Sequence, residues 1–130
     1  EIFAQLFRKL SFAGVSPYYV FQCRPSLGNR FFQTPVERSY EIIQQAWKAC
    51  SGLAKRARFV MSHATGKIEV VGKTAHHVIM RYHQAADPAN IGKTLVFLSD
   101  PMARWFDDYR QHANPENLHR VSMPKMQWLF

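Results

Sequence analysis

The first residue whose type and setting could do chemistry is Lys67. It follows a short polar stretch, Ser62-His63-Ala64-Thr65-Gly66, and heads the apolar run Ile68-Glu69-Val70-Val71. A lysine held after a glycine-containing turn between two strands can offer its amine at the mouth of a pocket. With a lowered pKa it can then form a Schiff base with a carbonyl cofactor. Ala64, Thr65 and Gly66 are small enough to let such a cofactor approach. The pattern alone equally describes a solvated hairpin lysine, which is the commoner case for an isolated Gly-Lys pair. His63, four residues earlier, could bond a ligand or move a proton, or simply bond the turn's own backbone. Arg24 follows the aromatic run ending in Phe21 and could grip a carboxylate or phosphate with its guanidinium fork, or cap loop carbonyls. Cys23 reads as a buried structural thiol, since no base can be assigned to it. Asp107 and Asp108 are helix neighbours with diverging side chains, which favours solvated or helix-packing roles. His76 and His77 point to opposite sides of a strand and do not form a metal pair. No His, Cys or carboxylate grouping has convincing metal spacing.

The elements that must position these residues follow from periodicity. Ile2, Phe3, Leu6, Phe7 and Leu10 mark one face of a helix over residues 1–13, and Gly14 is its stop. Residues 17–21, Pro-Tyr-Tyr-Val-Phe, read as a buried strand. Residues 22–33 form a loop with Pro25 and Gly28-Asn29 as turn residues. Thr34-Pro35-Val36-Glu37 reads as a capping box opening a helix that runs to Cys50 and buries Ile42, Ile43, Ala46, Trp47 and Cys50. A second strand covers residues 57–61. After Lys67 the strands 68–71, 78–82 and 95–98 follow with little helix between them, which predicts an antiparallel meander. A helix over 101–110 capped by Asp100 comes next. A tail from Gln111 is expected to dock Met126, Trp128 and Phe130.

Composition sets outer bounds. The chain has 130 residues, 47% of them hydrophobic, enough for one domain with a real core. Its 17 Lys+Arg against 9 Asp+Glu give a net charge of +8, which points to anionic ligands or partners. The basic residues are spread along the chain, with Lys55, Arg56 and Arg58 the only dense group, so nucleic acid is not favoured. Two distant cysteines, Cys23 and Cys50, fit a reduced, cytoplasmic setting more simply than a disulfide. No apolar run approaches the ~18 residues that span a bilayer. The chain opens inside a helical pattern without an initiator methionine, and we read it as a portion of something longer.

Five stretches together resemble a known family. They are Gly14 to Cys23 with Thr34 to Glu37; Ser51-Gly52-Leu53-Ala54-Lys55; and Met61-Ser62-His63-Ala64-Thr65-Gly66-Lys67-Ile68-Glu69 with Tyr82 to Pro88. They are similar to the lysine 2,3-aminomutase family of radical S-adenosylmethionine enzymes, in its aminomutase-like branch. The resemblance covers roughly residues 1 to 110. It implies a partial parallel (β/α) barrel, a 4Fe-4S cluster, S-adenosylmethionine and pyridoxal phosphate, with an amino group moved between adjacent carbons of an amino acid. It also implies that Lys67 is the pyridoxal lysine. The three-cysteine cluster motif is absent from this chain, so the chain alone should not generate the radical. Lysine-specific members carry an acidic residue where Arg24 stands, and a run of glycines where Ser62 to Gly66 stand. Reversed charge at a binding position rejects a cationic substrate and favours an anionic one.

The expectation is an α/β chain. Residues 1–67 would supply the last βα elements of a TIM-like partial barrel, and residues 68–130 a small α+β extension. Lys67 and His63 are the cofactor-binding candidates, Lys67 the catalytic one and Arg24 the substrate-binding one, with no metal ligand. The partners would be an amino acid substrate other than lysine, the rest of the barrel and a further subunit, with no membrane. The competing readings are a non-catalytic basic module for an anionic partner, centred on Lys55 to Arg58, and an inactive fragment. A severed barrel end should expose strand edges and apolar surface.

Overall fold

The structure is a computed structural model and describes residues 1–111. The docking residues expected in the tail lie outside the described part. In chain order the elements are α1 (Ile2–Phe12), β1 (Tyr19–Phe21), α2 (Val36–Lys48), β2 (Arg58–His63), β3 (Gly66–Lys73), β4 (His77–Ala85), β5 (Thr94–Leu98) and α3 (Phe106–Gln111). The strands lie side by side in sequence order. β1 and β2 are parallel, joined by the α2 crossover that parallel strands require. From β2 to β5 every pair is antiparallel. The α/β class and the meander after Lys67 are as the sequence predicts. The described strands form one open mixed sheet, and a barrel is not among them.

Period-two burial explains why the sheet has two unlike faces. Phe59, Met61, Ile68, Val70, Val78, Met80, Tyr82 and Phe97 point to one side. There they meet Val36, Tyr40 and Ile43 of α2, and Trp105, Phe106 and Tyr109 of the α3 region. α1 joins the same side through a second cluster in which Ala4 and Phe7 pack on Ala46, Cys50, Ala54 and Ala57, with Val20 beside them. Of the apolar stripe expected on α1, Phe7 is buried, but Ile2 is 83% and Leu6 46% exposed.

Two β-bulges adjust which side chains reach which face. Register shifts fall between Lys67 and Ile68 and between Val70 and Gly72. The second leaves Val71 unpaired and turns Lys73 to the helical side. There its Nζ meets Glu41 Oε1 of α2 at 2.9 Å and Glu37 Oε1 at 3.9 Å.

Four sequence expectations need correction. The capping box does not form: Pro35 is the N-cap and no side chain caps α2. Instead Ala103 O accepts from the Val36 amide at 2.8 Å, and buried Glu37 accepts from the Ser99 hydroxyl. A distant carbonyl thus satisfies an N–H that the local motif was expected to leave to a cap. Ile42 and Trp47 are half-buried rather than core. Cys23 is exposed, in a loop where Asn29 bonds it, while Cys50 is the buried thiol; both are free. The last helix begins at Phe106, because Asp100 spends its carboxylate on a turn at Met102 N.

Candidate functional site

The turn between β2 and β3 is tighter than the sequence suggests. Ser62 pairs with Lys67 and His63 with Gly66, so only Ala64 and Thr65 lie between the strands. Gly66 has φ +142°, and a Cβ there would sit 2.1 Å from Gln84 O. No other residue type fits without moving the neighbouring strand. This pairing decides the geometry of the candidate residues. Ser62 and Lys67 share one face, and His63 projects from the other.

Lys67 projects from the face opposite the helices. Its Nζ lies 4.6 Å from the centre of the Tyr19 ring, a cation–π contact. Tyr19 also touches the rings of Phe21 and His83. The Tyr19 phenol is held above its ordinary pKa, first by desolvation and then by the adjacent Tyr18 hydroxyl, with Arg58 acting in the opposite sense. It therefore stays neutral beneath the amine. Among the described residues no carboxylate stands within ion-pair distance of Lys67. Glu69, two residues along on the same face, is already engaged. Its Oε2 accepts from Arg58 Nη1 at 3.2 Å and Arg81 Nη2 at 2.8 Å.

His63 sits in a different environment. Its Nδ1 accepts from the Thr65 amide at 3.1 Å and lies 2.8 Å from the Thr65 hydroxyl. Its Nε2 is 2.9 Å from Asp107 Oδ1. An Nδ1 that accepts a backbone N–H carries no proton, so the network assigns the proton to Nε2, donated to Asp107. The Thr65 hydroxyl continues to the Tyr82 hydroxyl at 3.0 Å, and the Phe106 ring meets the imidazole edge-on. The structure therefore does not bring His63 to Lys67. It ties His63 to the turn that carries Lys67.

Arg24 is exposed in the loop after β1, and no described contact joins its side chain to Lys67. That loop is anchored at its start by buried Gln22, whose Nε2 donates to Thr34 O at 2.7 Å and Arg104 O at 3.2 Å. Asp107 and Asp108 divide their roles. Asp107 holds His63, and Asp108 Oδ2 accepts from the amides of Arg104 and Trp105 at the start of α3. The sequence reading missed Arg81, Tyr19 and the position of Glu69 in this site. No symmetric count from the expected hairpin turn pairs them, because the register shift between Val70 and Gly72 is what sets Glu69 opposite Arg81.

The residues fit the cofactors unequally. An amine resting on a ring, in surroundings that carry more positive than negative charge, suits an aldehyde cofactor bearing a phosphate. The donor set for an iron–sulfur cluster does not fit. The chain's only cysteines are one loop thiol and one thiol bonded under α1, and no described group of His, Cys, Asp or Glu could hold a metal. No described helix is long and apolar enough to cross a membrane.

No protein-family model matches the chain. The chain is 53% identical over 111 residues to a provisionally named L-lysine 2,3-aminomutase of Aquifex aeolicus, covering 85% of this chain and 30% of that protein. It is 31% identical over 105 residues to the L-lysine 2,3-aminomutase of Clostridium subterminale, covering 78% of this chain and 24% of that protein. The chain therefore spans less than a third of the length of these curated relatives. The family this chain matches, over that stretch, is that of the lysine 2,3-aminomutases.

Proposed function

We propose that the chain supplies the lysine-bearing sheet of a radical, pyridoxal-dependent aminomutase-type isomerase, with Lys67 as the cofactor lysine. One observation carries this reading: the Lys67 amine lies on the face that the described helices leave uncovered, supported by the Tyr19 ring, with no carboxylate among the described residues holding it in an ion pair. When bound, pyridoxal phosphate supplies a carrier for the migrating amino group and delocalises the electrons released beside it. The chain's own residues do the rest. Lys67 offers its Nζ, Tyr19 keeps water from one side of it, and His63 with Asp107 and Thr65 fixes the turn that aims it. His63 thus serves the cofactor through the turn. Arg24 receives an anionic group of a substrate other than lysine, and its protection from phenylglyoxal by a dicarboxylate is the check on that assignment. Residues 1–67 belong to the barrel end and residues 68–130 to the extension. Exposed Phe12, Leu27, Phe31 and Phe32 are surface for the rest of the barrel to cover. The radical-generating cluster is not assigned to these residues.

The test is reduction with borohydride after incubation of the full-length protein with pyridoxal phosphate, followed by peptide mapping. Lys67 should carry the label, and Lys67→Arg should abolish it. Labelling confined to another lysine rejects the assignment.

A further inference from the structure

We propose that Arg58 and Arg81, pinned together by Glu69, form an oxyanion-binding subsite next to Lys67, taking a carboxylate or phosphate of the ligand that meets the amine. This rests on reading the uncovered face as the ligand side.

Three neighbouring strands build the subsite. Glu69 on β3 lies opposite Arg81 on β4 in the register. Arg58 on β2 reaches the same Oε2 atom from the other side. The carboxylate is the sheltered member, with its side chain 12% exposed, while the two arginines are 41% and 40% exposed. One carboxylate neutralises one guanidinium, so the trio keeps a positive charge, and Lys67 adds another. Each guanidinium has five N–H donors, and Glu69 uses one from each arginine, leaving donors free to bind an incoming anion.

A role in stability alone accounts poorly for this arrangement. Half-exposed ion pairs contribute about 0–1 kcal/mol, and a second arginine on an occupied oxygen adds like-charge repulsion. Holding two guanidiniums in place before a ligand arrives lowers the entropy lost on binding it. Tyr19 links the subsite to the amine: it is the register partner of Arg58, and its ring lies under Lys67 Nζ. Carboxylate and phosphate both match the guanidinium fork, so they must be separated by experiment.

Phenylglyoxal modification of the full-length protein, read residue by residue by mass spectrometry, makes the test. Inorganic phosphate and glutarate are the protecting probes, and exposed Arg8 and Arg56 are internal controls. At ten times its half-protecting concentration, an effective probe should leave about one tenth of the modification rate at Arg58 and Arg81, with the controls unchanged. Protection by phosphate alone assigns the subsite to a phosphate group, and protection by glutarate alone assigns it to a carboxylate. Arg58→Gln should raise the half-protecting concentration at Arg81 about tenfold, the usual weight of one charge-assisted bond. The proposal is overturned if Arg58 and Arg81 react at the same rate with and without both probes. It is also overturned if Arg24 alone is protected, or if Arg81 is indifferent to Arg58→Gln. Neither probe reacts with an amine, so the outcome is independent of whether Lys67 takes the pyridoxal label.

Discussion

The two faces of the sheet are built from the same strands, residue by alternate residue, and they do opposite things. The helical face holds Phe59, Met61, Ile68, Val78 and Met80 at 0–1% exposure, and it closes around Phe106. The other face carries Arg58, Lys67, Glu69 and Arg81, partly exposed charges held to one another or to an aromatic ring. Burial without polarity makes one face the source of stability. Polarity with partial exposure makes the other the face on which we propose that the ligand sits. The turn at Ala64-Thr65 is where they meet, since His63 locks it from one side and Lys67 leaves it on the other.

Perturbing one face at a time should separate the two roles. The largest effect expected is on the helical face. Phe106→Ala removes a ring that Tyr82, Phe97 and His63 all contact, and should cost about 3–5 kcal/mol by urea denaturation. Tyr19→Leu, on the other face, should cost under about 1.5 kcal/mol while slowing pyridoxal labelling at Lys67. Equal stability losses for the two would erase the distinction.

His63→Leu sharpens the comparison, because His63 belongs to one face and acts on the other. Loss of its bonds to Thr65 and Asp107 should cost about 1–3 kcal/mol. It should also speed amide hydrogen exchange at Thr65 and Gly66. Unchanged exchange there would leave His63 as core packing only.

The smallest effect concerns Lys73 and Glu41. Lys73 holds the Glu41 carboxyl below its usual pKa of 4.5, and Glu41 holds the Lys73 amine above its usual 10.5. A depressed carboxyl stabilises the fold above its unfolded pKa, and that part is lost as the pH falls through the folded value. A raised amine stabilises the fold below its unfolded pKa, and that part is lost as the pH rises past the folded value. The pair therefore contributes across the window between, and Lys73→Met should flatten both limbs of the urea midpoint against pH. A wild-type profile that keeps its shape in the variant removes the pair from the account.

How much the sequence revealed depended on range. Phe7, Ile43 and Ala46 were legible because helical period is local, and the meander was legible from Ile68, Val78 and Leu95 with the breaks between them. Glu37 misled because its motif is local while its actual partner, Ser99, lies 62 residues away. His63 was legible only in part: its bond to the turn's own backbone at Thr65 was one of the readings offered, while its other partner, Asp107, is 44 residues on and no spacing rule connects them. Lys67 was picked out as a candidate, but its face was not. A turn drawn from Ser62 to Gly66 leaves open which side each residue takes, and a shift of one residue reverses the answer.

That sensitivity gives Val71 a significance its plain side chain does not suggest. The bulge there works as a change of reading frame written into the strand. Upstream of it, odd-numbered residues of β3 look toward the face opposite the helices; downstream, Lys73 looks toward α2. One inserted residue thus sorts two lysines of one strand into different trades, Lys67 left over the Tyr19 ring and Lys73 given over to holding a helix. Length changes near this point should therefore be harder for the protein to accept than almost any change of residue type.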